Sequence, residues 1–136
     1  MIKPITHDQK QLSQPSQTAT RQDLPIAQDL LDTLVAHRQN CVGMAANMIG
    51  QRKRIIVVTM GMTNVVMINP QMIAKSNPYQ TMEGCLSLTG QRPTRRFKNI
   101  TVRFLNQDWQ QVTLPLSGWV AEIVQHEIDH CDGILI

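Results

Sequence analysis

From Leu24 onward the hydrophobic positions follow two different rhythms. Ile26, Leu30, Leu31, Leu34 and Val35 recur at spacings of three to five, the signature of one apolar helix face; Asp23 stands at an N-cap position and Pro25 in the first turn. A helix is predicted from about 24 to 38. The runs Arg54 to Met60 and Asn64 to Asn69 are instead rich in β-branched residues and flank Gly61-Met62-Thr63, which predicts a hairpin. Lys98 to Leu105 and Gln110 to Leu116 form a second candidate pair, turning at Asn106-Gln107-Asp108, with Pro70 and Pro78 punctuating the stretch before it. A last helix is expected over Gly118 to Cys131, with Ser117 near its start and Gly133 just past its end.

Two stretches resist this reading. Residues 1 to 22 show no sustained periodicity. Cys41 to Gly50 is small and apolar, with glycines either side of an alanine pair. Small residues let backbones approach closely, so this stretch suits a strand edge lining a cleft and, equally well, a tight turn packed beneath the first helix. Helix, antiparallel strands and terminal helix together predict an α+β fold.

Bulk properties narrow the class. A chain of 136 residues and 15.4 kDa corresponds to a single domain over 1–136. There is no membrane-length apolar run and no signal-peptide pattern, so a soluble, cytoplasmic protein without a membrane partner is expected. Three scattered cysteines make no disulfide framework and leave thiols free for metal. A net charge of +3 is too mild to argue for nucleic acid, and the one basic cluster, Arg92 to Lys98, reads as a solvated loop.

The chemistry gathers near the C-terminus, in Gln125-His126-Glu127-Ile128-Asp129-His130. A helix turns about 100° per residue, so His126 and His130 share a face and can grip one metal ion, with Glu127 beside it, placed to reach a metal-activated water. A chain with 4 His and 3 Glu in 136 residues would show H-E-x-x-H by chance about 3 times in a thousand. The plainer alternative is that both histidines only cap the last helical turn.

An open catalytic site needs a third protein ligand. Six residues follow His130; Cys131 lies on the wrong face and Asp132 at the helix end, so the ligand must come from upstream. Cys41, Cys85, His7, His37 and the carboxylates are the candidates. Cys85 is favoured, because glycine precedes it in Glu83-Gly84-Cys85-Leu86-Ser87 and no periodic pattern claims its thiol for the core.

These stretches together resemble the peptide deformylase family, whose signature is G-x-G-x-A-A-x-Q, then E-G-C-L-S, then Q-H-E-x-D-H. The second motif matches fully at Glu83 to Ser87 and the third at Gln125 to His130, and the resemblance spans roughly residues 24 to 136. It implies that Cys85, His126 and His130 bind one divalent metal, Fe(II) by preference with Zn(II) or Ni(II) able to substitute. It implies Glu127 as general acid/base and the Leu86 amide as a donor to the oxyanion. Glu83 would be held by an arginine, for which Arg96 is the nearest match, with Gln125 and Asp129 fixing helix and ligands. The substrate implied is an N-formyl-methionyl peptide in transient contact with a ribosome, lying between Gly43, Met44 and Ala45 on one side and Gly84 and Leu88 on the other.

The first motif departs from the family. Cys41 replaces a glycine, Asn47 stands where proline is common, and Met48 occupies the position of the glutamine that donates to the oxyanion. A thioether has no donor, and losing one costs about 10²–10³ in rate. Asn47, on a strand, would face away, and Gln51 could compensate only if the chain turned back. Glu122, one turn before His126, puts a carboxylate where the family places an apolar residue lining the methionine pocket. A slow or inactive paralogue that binds such N-termini, or a related small metallo-amidase, is the alternative these departures suggest.

Overall fold

A computed structural model describes residues 1–136. Five antiparallel strands, β1 (Gly43–Ala45), β2 (Ile55–Met60), β3 (Thr63–Cys85), β4 (Leu88–Leu105) and β5 (Gln111–Ser117), form one sheet in that order. Besides the four-residue helix α1 (Gln9–Leu12), two longer helices, α2 (Leu24–Ala36) and α3 (Gly118–Cys131), complete the expected α+β architecture. Alternation along β2 explains the layering. Ile55 and Val57 point into a core shared with Leu30 and Leu34 of α2, while Ile56 and Val58 point into a second core with Ala121, Val124 and Ile128 of α3. Both faces of β2 are therefore buried, which is why its β-branched run is unbroken rather than alternating.

The hairpin at Gly61-Met62 and the turn after Leu105 form as expected. In that second turn the Asn106 side chain accepts from the amides of Asp108 and Gln110 at 2.9 and 3.0 Å. The other strand boundaries differ. Asn64–Asn69 and Lys98–Leu105 are only the ends of a long β3–β4 hairpin that continues through Pro70 and Pro78. Pro70 is tolerated because it falls in a register shift between Ile68 and Gln71, where the ladder needs no donor, and Asn69 opens that bulge at φ 52°. The Arg92–Lys98 cluster is part of β4 rather than a loop, and Arg96 within it is buried.

Asp23 does not cap α2 as expected; its carboxylate accepts from the Thr20 amide at 2.8 Å and closes the short turn before the helix. Val35 is exposed rather than packed. The N-terminal stretch, patternless as sequence, is well tied down. Asp8 caps α1, Leu12 and Ala19 enter the core, and Asn69 exchanges two hydrogen bonds with the Ala19 backbone at 2.8 and 3.0 Å. A four-residue helix is too short to display a period.

Candidate metal centre and cleft

The long hairpin brings Cys85, at the end of its first strand, beside the C-terminal half of α3. Cys85 is the last residue of β3, so strand register fixes its position, while helical spacing aligns His126 and His130. Ligand atoms of Cys85, His126 and His130 all lie within 4.8 Å of one another. The two imidazole Nε2 atoms are 3.0 Å apart, and Nδ1 of His126 is 2.7 Å from Oε1 of Glu83. A carboxylate can only accept there, so Nδ1 carries the proton and the Nε2 lone pair turns toward its neighbour. With the His130 proton on its unpartnered Nδ1, both Nε2 lone pairs are available to one cation. Burial opposes charge on His126, yet hydrogen bonds to Cys85 and Glu83 raise it to about 10, while burial and the His126 charge lower His130 to about 3, so a metal bound here would displace the proton that His126 otherwise holds on Nε2. Thiolate and two imidazoles are the donor set of a borderline divalent ion.

A polar frame surrounds these three residues. Arg96 donates from Nε and Nη2 to Glu83, the shortest bond at 2.7 Å, and from Nη1 to Asp129 at 2.6 Å. Burial disfavours the Glu83 carboxylate, but His126 and Arg96 together pull it down to about 2. Gln125 exchanges hydrogen bonds with both backbone groups of Phe97 at 2.8 Å, stitching α3 to β4. The pairing of Glu83 with Arg96, read from sequence by resemblance, is thus present in the geometry.

Glu127 is buried, and its Oε1 has no protein partner. Burial raises its carboxyl to about 7. Gly43 on β1 sits against it, where an added Cβ would lie 2.7 Å from Ile123 and 3.1 Å from Glu127 Oε2, so only glycine permits this approach. A Cβ on Gly84 would come 3.1 Å from the Gly90 carbonyl. Around this centre opens a cleft of about 590 Å³ lined by Cys41, Gly43 and Met48 on one wall, Glu83 to Leu86 and Leu88 on the other, and Glu122, His126 and Glu127 on its floor.

Several sequence expectations change here. Met44 is not part of the cleft; alternation along β1 turns its side chain into the core beside α2. Met48 and Asn47 lie on a short 3₁₀ turn, Ala46–Ile49, rather than a strand. Asn47 nevertheless faces away from the cleft and donates to the His130 carbonyl at 2.9 Å. Gln51 is exposed and does not turn back toward Met48's place in the wall. Cys41 lines the cleft but stands outside the ligand cluster, its thiol donating to the Gly43 carbonyl and pushed up to about 12 by burial. His37 bonds to Thr33 on α2, and His7 bonds the Ser87 carbonyl at 2.9 Å. Glu122 does line the cleft and accepts from the Tyr79 hydroxyl at 3.2 Å; burial and neighbouring Glu83 raise its carboxyl.

Sequence reasoning missed the exposed Trp119 at the cleft and Tyr79 bonded to Glu122 behind it. Of these only Trp119 carried a signal, a large aromatic one turn before Ile123 on the same helix.

The polypeptide deformylase family model matches residues 2–136. A peptide deformylase of Clostridium beijerinckii is 48% identical over 136 residues, covering both chains fully. Another, from Carboxydothermus hydrogenoformans, is 39% identical over 93% of this chain and 82% of its own. Among solved structures, a class I type b peptide deformylase from Acinetobacter baumannii, with Met-Ala-Ser bound, superposes with a TM-score of 0.88 at 28% identity, covering 99% of this chain and 97% of that one. No helix is long and apolar enough to cross a membrane.

Proposed function

The chain belongs to the peptide deformylase family, hydrolases that remove the N-formyl group from nascent peptides, and from that premise we propose how its own residues divide the work. Cys85, His126 and His130 hold one divalent ion, with Fe(II) preferred and Zn(II) or Ni(II) fitting the same donors. When bound, that ion supplies Lewis acidity toward the formyl oxygen and the attacking water.

Glu127 receives the water's proton at its unpartnered carboxylate oxygen and passes it to the departing amine. Burial suits it to both tasks, because a carboxyl near 7 accepts and releases a proton at neutral pH with little bias. The Leu86 amide donates to the developing oxyanion. Glu83 fixes the His126 tautomer, Arg96 holds Glu83 and Asp129, and Gln125 keeps α3 in register with β4. The peptide runs extended through the cleft between Gly43 and Gly84, with Glu122 at the side-chain pocket. Residues 1–136 act as one catalytic unit, in the cytoplasm and beside the ribosome, where formylated N-termini emerge.

The observation that carries this reading is the convergence of Cys85 from a hairpin tip with two imidazoles 3.0 Å apart on α3, next to a buried carboxylate with a free oxygen. Anaerobic purification followed by metal analysis and a formate-release assay tests it. About one equivalent of metal and formate release from formyl-methionyl peptide, with none of the acetylated peptide cleaved, is the expected result. Metal-replete protein that releases no formate would overturn it.

A further inference from the structure

Two consecutive residues of the N-terminal segment hold the two walls of the cleft. The Thr6 amide donates to the Met48 carbonyl at 2.8 Å, and Nδ1 of His7 lies 2.9 Å from the Ser87 carbonyl. A carbonyl only accepts, so His7 Nδ1 carries a proton and donates it; the neutral tautomer and the imidazolium both meet that demand. Met48 belongs to the apolar wall, and Ser87 to the loop joining β3 to β4. Neither Thr6 nor His7 lines the cleft, so both act from behind it.

The walls differ in what else secures them. The turn carrying Met48 is also pinned by Asn47, whose Nδ2 donates to the His130 carbonyl at 2.9 Å and to the Leu12 carbonyl at 3.4 Å. On the other wall Cys85 pairs directly with Leu88, which leaves Leu86-Ser87 as a two-residue loop. Strand pairing therefore holds the ends of the loop and not the loop itself. The bond from His7 is the only hydrogen bond that reaches Leu86 or Ser87 from outside the hairpin, and the buried Ser87 hydroxyl has no partner at all.

We propose that His7 is a positioning residue for the reaction: from outside the cleft it fixes the loop whose Leu86 amide meets the oxyanion. This deepens the deformylase reading and rests on it. Cys85 anchors one side of Leu86 and the His7 bond anchors the other, at Ser87. An oxyanion donor acts only while its distance and angle are kept, because a hydrogen bond weakens steeply on misalignment. Met48 sharpens the demand: its thioether donates nothing, so more of the stabilisation falls on the Leu86 backbone.

The test compares His7→Ala, His7→Asn and Asn106→Ala with the parent, all loaded with Zn(II). In His7→Ala, kcat for formyl-Met-Leu-Leu falls by about fivefold while KM stays within about twofold, the size expected for one neutral hydrogen bond acting in the transition state. In 15N relaxation the order parameter of the Leu86 amide drops from a rigid value of about 0.85 toward about 0.6, and the amides of α3 keep theirs. His7→Asn restores part of both, because its side-chain N–H starts from nearly the same place as the imidazole Nδ1. Asn106→Ala removes two turn hydrogen bonds outside the cleft, lowers Tm comparably, and leaves kcat and Leu86 unchanged. An undiminished kcat or an equally rigid Leu86 in His7→Ala, no recovery in His7→Asn, or the same kcat loss in Asn106→Ala would each overturn the assignment while leaving the deformylase reading standing. If the parent itself releases no formate, that reading fails, and His7's part in the catalysis fails with it, whatever the relaxation at Leu86 shows.

Discussion

The two walls of the cleft are built on opposite plans. On the hairpin side, Cys85 is surrounded by charge: Glu83, Arg96, Asp129 and His126 form a continuous buried chain of short hydrogen bonds. On the other side, Cys41, Gly43 and Met48 offer apolar surface, a protonated thiol and backbone; the Met48 sulfur itself accepts from the Ala45 amide at 3.5 Å. The difference separates two requirements. Holding a cation demands a rigid, fully satisfied polar network, because each buried charge left alone is costly. Stabilising an oxyanion can be shared with backbone donors, so that wall tolerates the loss of a side-chain amide at a cost in rate rather than in structure.

That contrast can be broken at several points. The largest effect is expected for Glu127→Gln, which removes the proton carrier but no part of the polar frame. Formate release drops by about 10²–10⁴-fold while metal content by elemental analysis stays the same. An active variant would take Glu127 out of the chemistry. Next comes Met48→Gln, which gives the apolar wall the donor it lacks; a gain approaching about 10²-fold in kcat is expected, with KM less affected. No gain would mean that the wall's backbone already supplies what the oxyanion needs.

Arg96→Met probes the opposite wall. It strands the buried carboxylate of Glu83 and the half-buried one of Asp129, so a loss of about 3–5 kcal/mol is expected, seen as a Tm lower by about 10–15 °C in thermal denaturation. A variant as stable as the parent would show that the network is dispensable.

The thiols give a gentler comparison. Only the thiolate reacts with iodoacetamide, and with the Cys41 thiol pushed up to about 12, roughly one molecule in ten thousand is reactive there at pH 8. Chelator treatment should therefore expose Cys85 to alkylation while Cys41 remains unlabelled in peptide mapping, and Cys41 becomes reactive only as pH climbs toward 12. The smallest effect is expected for His7→Ala, which loses one hydrogen bond to the hairpin tip at Ser87 and with it about 1 kcal/mol. His7→Asn should recover part of that Tm loss.

The metal centre was unusually legible before any coordinates. His126, Glu127 and His130 sit within one and a half helical turns, so local geometry alone places them, and Ser117 to Gly133 bounds the helix that carries them. Cys85 was legible through its motif rather than through any period. The long hairpin that carries it was not: Pro70, Pro78 and an arginine-rich run all argue against strand locally, and only pairing across two strands, with a bulge at Pro70, overrides them.

Local sequence by itself marked His126, Glu127 and His130 as one candidate cluster and located both long helices, because each depends on side chains within a few positions of one another. Tertiary structure alone decided what could not be seen at short range. It turned Met44 into the core, set Asn47 against the His130 carbonyl, tied His7 to the hairpin tip, and set Tyr79 against Glu122. These contacts join segments 43 to 83 residues apart. A spacing pattern carries no information about such pairs until the sheet and helix are packed together.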